Sequence, residues 1–287
     1  MLIKKCNFAW SPEWAPNLHA VNPYSGCSFA CHYCWSRALS ARFGKKQDWT
    51  AVEVAKGFKH FWQAKLMHEL VHSEPMTLLI GSTSDPMPNI EQDEMKTRTI
   101  LEVIKRYIYF IWEKNSNHKY LILTKNPDIV EYAPLLKNIG AWAGMTLTAS
   151  PSYYETVRDK YEPGAPHNGE RVEALRELHK AGVKVFASIE PWLCELTTIE
   201  YYDSAGATSE PLTASGLHDY TNPISIIIET HEFVDYFIVG SWNHAGKPLK
   251  TLIPHYQTLL PHVIETLQYY KKAYWIKPEL QALIKEK

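Results

Sequence analysis

Cys27, Cys31 and Cys34 place three thiols within one short loop, Cys27-Ser-Phe-Ala-Cys31-His-Tyr-Cys34. Cysteine thiolates are the usual ligands of iron–sulfur clusters. A 4Fe-4S cluster has four irons, so three cysteines leave one iron without a protein ligand. An open iron can bind a small molecule, as an open zinc position binds water. Two other readings of the spacing stand beside this one. A structural zinc would use the three thiols with His32 or a distant fourth ligand, although such sites more often pair two C-x-x-C units. Inert thiols are the third reading. The chain has 5 cysteines in 287 residues, with Cys6 and Cys194 apart from the loop, which is not the even, dispersed set of a disulfide framework. A catalytic zinc is not expected from the histidines.

A loop of this kind must be held by regular elements, and the chain supplies them by alternation. Leu18 to Asn22 is a short apolar run that Pro23, Ser25 and Gly26 end, and it reads as a first strand leading into the cysteine loop. Residues 35–43 are helical in composition. Residues 50–72 carry apolar side chains near helical spacing. Further strands are expected at Thr77–Ile80, Tyr120–Thr124, Ala141–Thr148, Val183–Ile189 and Val234–Val239, separated by helices over 91–113, 127–138, 169–181 and 254–271. Ile224 to Glu229 fits a helix or a strand. Continuous apolar strands between helices argue for parallel βαβ units buried on both faces. The expected fold is α/β, an open, partial (β/α)6 barrel, with a doubly wound sheet as the alternative. Polar residues gather at the C-terminal strand ends, where β/α barrels carry their active sites: Cys27, Ser82, Asp85, Thr124, Lys125, Thr148, Glu190 and Ser241.

The chain reads as one domain over 1–287, with an arm at 1–17, a barrel core at 18–245 and a helical segment at 246–287. The arm carries Trp10 and Trp14 and is expected to pack aromatic side chains on the body. Residues 151–168 and 202–223 break the alternation and read as long rim loops. A formal charge of −1 gives no global basic field for nucleic acid. Local contacts remain open to Lys4-Lys5, Lys45-Lys46 and Lys271-Lys272, the last beside Tyr274 and Trp275. No run reaches membrane-span length and no signal-peptide pattern is present, so a cytoplasmic, reducing compartment is expected.

The cysteine loop, with Tyr33 before its last thiol, resembles the radical SAM signature. The wider pattern resembles two radical SAM groups. The spore photoproduct lyase-like group is matched by Gly26 to Cys34, by Gly81-Ser-Thr-Ser-Asp85-Pro86, by the strand end Leu121 to Lys125, and by Glu162-Pro-Gly-Ala-Pro166. The phage Gp37/Gp68-like, three-Cys-motif family is matched by Leu123-Thr-Lys-Asn-Pro127, Ser188-Ile-Glu-Pro191 and the strand ending at Gly240. The resemblance implies a 4Fe-4S cluster on Cys27, Cys31 and Cys34. It implies S-adenosylmethionine (SAM) on the open iron, a reductant such as flavodoxin or ferredoxin, and reductive cleavage to a 5′-deoxyadenosyl radical. It leans the substrate toward a nucleic-acid base or modified pyrimidine, for repair or modification. A peptide or small metabolite, or a non-enzymatic iron–sulfur or zinc module, are the alternatives.

Roles follow from these placements. In the resembled enzymes an aromatic at this place packs near the adenine, so the resemblance implies that role for Tyr33, with walling off the cluster as the alternative. Gly81, Ser82 and Thr83 would border the methionine end. Asp85 would accept from a ribose hydroxyl or cap the helix that follows, a reading that Pro86 favours. Thr124 and Lys125 end a strand in the mouth, and Lys125 could meet the SAM carboxylate or an anionic substrate. Thr148 and Ser150 could bond ribose. Glu190 would enter a mostly apolar site and needs a cation, with the SAM ammonium or Lys125 as the expected partner. Cys194 could supply a hydrogen atom or be a passive thiol. The lyase group's further cysteine has no counterpart between Cys34 and Cys194.

Overall fold

The structure is a computed structural model. It describes residues 1–6, 10–44, 48–90, 96–111, 118–150, 154–193, 196–197, 218–219, 222–241, 243–244, 247–248 and 252–285. Its centre is an eight-stranded sheet. The strands are β1 (Ile3–Lys5), β2 (Leu18–Val21), β3 (Thr77–Ile80), β4 (Lys119–Thr124), β5 (Trp142–Thr146), β6 (Lys184–Trp192), β7 (Tyr236–Ser241) and β8 (Ala273–Ile276). Every neighbouring pair is parallel except β1 with β2. Strand order in space follows order along the chain. A doubly wound sheet reverses direction at a switch point, and this one never does. The sheet is therefore an open, partial barrel, and the six expected βα strands are all in it.

The residue pattern explains the winding. Val21, Ile80, Ile122, Ala143, Ala187 and Val239 are outward-facing core residues that pack with the helices. Alternate positions (Ala20, Leu79, Leu121, Phe186 and Ile238) share a second apolar cluster inside the curve. This period of two fixes which strand-end residues look into the mouth. The N-terminal arm closes the other end of the barrel. Trp14 stacks on Tyr236 with centroids 4.4 Å apart and meets Trp142 and Phe186 edge-on.

The helices are α1 (Trp35–Arg42), α2 (Trp62–Val71), α3 (Lys96–Phe110), α4 (Ala133–Asn138), α5 (Tyr154–Tyr161), α6 (Asn168–Lys180), α7 (Pro223–Thr230), α8 (Ile253–Tyr269) and α9 (Pro278–Lys285). Among the described residues, no helix is long and apolar enough to cross a membrane.

Several elements differ from the sequence reading. The helix expected over 50–72 is only α2, because Glu53–Val54 pairs antiparallel with Tyr24–Ser25 and Phe61 turns left-handed at φ 48°. Tertiary pairing here overrides local propensity. The first arm residues form the edge strand β1, and the region after α8 adds the parallel strand β8. Part of the expected rim loop at 151–168 is helix α5, and 223–230 is helical. Most of the loop at 202–223 lies outside the described residues.

Candidate active site

The cysteine loop lies just beyond β2 and is tied down on several sides. Cys27 donates its N–H to Trp49 O at 2.9 Å, and His32 donates to Tyr161 O at 2.8 Å. Gly164 donates to Phe29 O at 3.2 Å. Ser84 donates its hydroxyl to Gly26 O, linking the loop to the turn after β3. Cys34 caps α1, its Sγ accepting from Arg37 N at 3.4 Å. Cys31 is buried with Phe29 and Ala165, and Cys27, Cys34 and Tyr33 pack against the same small cluster.

Among the described residues, no three His, Cys, Asp or Glu side chains form a ready-made metal cage. The donor set nevertheless fits an iron–sulfur cluster: three soft thiols on one loop border one shared apolar cluster. Burial pushes the Cys27 thiol up to about 12 and the Cys31 thiol up to about 11. Thiolates at these places therefore need a bound cation to form.

Next to the loop is a buried ionic network. Glu162 and Arg171 are both fully buried, with Arg171 NH2 2.8 Å from Glu162 Oε2. Tyr154 donates to the same oxygen at 2.5 Å. The other oxygen, Oε1, accepts from the Tyr33 hydroxyl and lies 3.8 Å from Lys125 Nζ. Arg171 also donates to Thr146 O at 2.9 Å and Pro166 O at 2.8 Å. Burial alone would raise the Glu162 carboxyl, but Arg171 and Lys125, with the two tyrosine hydroxyls, hold it at about 2. Burial works against the charge on Lys125, yet the acidic groups around it, Cys31 and Glu162 foremost, raise it. Tyr33 is pushed well above its ordinary value by burial and by the neighbouring anionic groups.

The other strand ends are braced against one another. Asp85 Oδ1 accepts from Thr124 Oγ1 at 2.5 Å and from Met87 N at 2.8 Å, and Oδ2 accepts from Lys125 N at 2.9 Å. Asp85 thus acts as a strut that fixes where Lys125 begins. Burial raises its carboxyl. Asn22 Oδ1 accepts from the backbone N–H groups of Ser82 and Thr83 at 2.7 and 3.0 Å, setting the turn that starts at Gly81. Ser150 donates to Glu229 Oε1 at 2.6 Å. Thr148 is fully buried, and its hydroxyl has no hydrogen-bond partner among the described residues.

Glu190 requires a correction. The expected partner within the chain was Lys125, but Glu190 pairs with Lys277, just beyond β8. Lys125 is taken by Glu162. The reason is topological: β8 was not foreseen, so the cation it delivers could not be counted. Cys194 lies outside the described residues, as do Lys45 and Lys46. The other two lysine pairs lie at the edge strands of the sheet, Lys4-Lys5 on β1 and Lys271-Lys272 before β8.

Residues that the sequence reading left unassigned now carry the site: Glu162, Arg171, Tyr154, Asn22 and Lys277. Glu162 stood in a quoted motif without a role. A further signal was passed over. His68-Glu-Leu-Val-His72 has the H-E-x-x-H spacing of zinc sites in other folds. The structure uses Glu69 differently, its carboxylate accepting from Leu2 N and Ile3 N at 2.8 Å. The two histidine rings are exposed and stacked 4.1 Å apart. A depression of about 310 Å³ lined by Lys5, Asn17, His19, Ser73, Glu74 and Met76 lies at the N-terminal strand ends, away from the cysteine loop.

Comparison with known proteins agrees with this architecture. A curated relative, the uncharacterized protein MJ0683 of Methanocaldococcus jannaschii, is 26% identical over 188 residues, 64% of this chain. The match spans 63% of that relative, so the chain accounts for less than two thirds of its length. Spore photoproduct lyase complexed with dinucleoside spore photoproduct aligns with TM-score 0.54 and 15% identity, over 94% of this chain and 79% of that one. Native anSMEcpe with bound AdoMet aligns with TM-score 0.51 and 12% identity, over 90% and 63%. At such identities the likeness is one of fold, a partial β/α barrel. Residues 12–248 match the model of the family described as protein of unknown function (DUF5131), and the chain belongs to that family.

Proposed function

We propose that this chain is a radical SAM enzyme in which Cys27, Cys31 and Cys34 hold a 4Fe-4S cluster at the C-terminal mouth of the partial barrel. The observation that carries the reading is the placement of the three-thiol loop beside Lys125, whose ammonium is held in a buried network. A cluster bound there would supply the electron that cleaves SAM to methionine and a 5′-deoxyadenosyl radical.

The chain's own residues have definable tasks in this reading. Lys125 offers a positive charge for the carboxylate of SAM. Asp85 and Glu162 keep that lysine at the strand end. The buried hydroxyl of Thr148 is available to a polar group of the cofactor. Tyr33, bonded to Glu162, walls the loop from the barrel side. The aromatic plug around Trp14 closes the opposite end and excludes water, which reactive radical chemistry requires.

For the substrate, the fold likeness to a lyase holding a dinucleoside lesion supports a nucleic-acid base or modified pyrimidine. The test begins with anaerobic reconstitution with iron and sulfide. The reading expects iron and sulfide bound together, a brown chromophore, and a reduced-cluster EPR signal that SAM perturbs. A colourless protein holding one zinc contradicts it. Candidate oligonucleotides are then screened for stimulation of SAM cleavage. No stimulation by any of them, with stimulation by a peptide or metabolite, moves the substrate out of the nucleic-acid class.

A further inference from the structure

The two oxygens of Glu162 are divided between different kinds of partner. Oε2 faces the scaffold, where it takes Arg171 at 2.8 Å and the Tyr154 hydroxyl at 2.5 Å. Oε1 faces the cysteine loop and strand β4, where it takes the Tyr33 hydroxyl and stands 3.8 Å from Lys125 Nζ. Lys125 also lies over the Tyr33 ring, 5.6 Å from its centroid. A fully buried carboxylate is costly unless it is paired and its remaining lone pairs are hydrogen-bonded. Arg171 and Tyr154 meet that need at Oε2, and the guanidinium is matched as well to the carbonyls of Thr146 and Pro166. At Oε1 the partners are Lys125, at the end of β4, and Tyr33, in the cysteine loop, so the carboxylate that the scaffold fixes in turn fixes these two side chains.

We propose that Glu162 is the positioning residue of the site, holding Lys125 and Tyr33 in place for the carboxylate end of SAM. A lysine is a flexible point charge on a four-carbon stem, and a nearby anchored anion restricts where its ammonium rests. Arg171 and Tyr154 anchor the anion on α6 and α5, and Asp85 anchors the lysine's backbone. Glu162 begins the segment whose Gly164 rests against Phe29, so the same residue couples the lysine to the cysteine loop. Binding energy that would be spent ordering the lysine is already committed in the free protein. The inference rests on the radical SAM reading and adds a role that touches neither cluster nor substrate.

The experiment measures SAM affinity of the reconstituted protein by equilibrium dialysis and by the SAM-induced change in the reduced-cluster EPR signal. Glu162→Asp keeps the negative charge but draws the carboxylate back by one methylene, which loosens its hold on Lys125 and Tyr33. Glu162→Gln removes the charge, and circular dichroism and thermal melting report whether either variant is folded. The expected result is a folded Glu162→Asp protein that binds SAM about tenfold more weakly, with a changed EPR perturbation. In a Lys125→Met background, Glu162→Asp adds little further loss, because it acts through the lysine. Wild-type affinity in folded Glu162→Asp, or full additivity with Lys125→Met, overturns the proposal. Wild-type protein that carries the cluster but binds no SAM instead overturns the radical SAM reading, so the two failures are distinct.

Discussion

Gly164 donates its N–H to Phe29 O at 3.2 Å, and a Cβ on Gly164 would lie 2.5 Å from the carbonyl oxygen of Ser28. The contact is with backbone, which cannot swing away. The segment between α5 and α6 therefore presses directly on the cysteine loop and fixes its height above the sheet.

Gly164→Ala should displace the loop while leaving the barrel intact. The expected outcome is native-like circular dichroism with a lower iron and sulfide content after reconstitution. Full iron loading in the variant would show that the loop tolerates the displacement.

The pH dependence of stability should carry the mark of Glu162. Its carboxyl is held at about 2 against an ordinary value of 4.5. A depressed carboxylate contributes stability that is fully present above its unfolded value and is lost as pH falls through the folded one. Melting of the apo-protein should therefore show Glu162→Gln less stable than wild type near neutral pH. The gap should narrow between about pH 4.5 and pH 2. A gap that stays constant across that range would mean that folding does not depress the Glu162 carboxyl.

Packing inside the barrel is tight at β5 and β6. A Cβ on Gly144 would lie 2.3 Å from Cζ of Phe186, a fully buried ring. Gly144→Ala should lower the denaturation midpoint sharply. Phe186→Ala should cost about 3–5 kcal/mol through the cavity it opens. Gly144→Ala combined with Phe186→Leu should be less damaging than the two single costs added together, because the smaller side chain makes room. Additive costs in denaturant melts would rule out this contact as the source of the strain.

The Glu190–Lys277 pair joins β6 to the segment after β8, with Glu190 still partly exposed. Lys277→Met leaves a half-buried carboxylate without its cation and should cost about 1–3 kcal/mol. Adding Glu190→Gln should recover part of that loss. A double variant no more stable than Lys277→Met would mean that the lysine stem, and not the ion pair, carries the effect.

The six βα strands are legible because they are mostly continuous apolar runs, largely buried on both faces. Strand β8 escaped notice: Ala273-Tyr-Trp-Ile276 is short and half-polar in its surroundings, and it follows a lysine pair that reads as surface. Arg171 escaped for a related reason. It sits on α6 among Glu170, Glu173 and Arg176, where charge at helical spacing reads as a solvated face. Only the fold brings it under the cysteine loop, and Tyr33 and Glu162 lie 129 positions apart in the chain. Asp85 reads as a ribose contact or a cap and Thr124 as a ligand contact; in the fold Asp85 accepts from the backbone of Met87, as a capping side chain does, and also from the Thr124 hydroxyl at the adjacent parallel strand end. The sequence context of Glu190 calls for a cation, and Lys277, beyond the six βα repeats, supplies it.

The most direct test of the account is production of 5′-deoxyadenosine. Reconstituted, reduced protein is given SAM under anaerobic conditions beside a Cys31→Ala control. The account predicts 5′-deoxyadenosine from the intact protein and none from the control. A protein that carries its cluster yet forms none, across several reductants and candidate substrates, would contradict it.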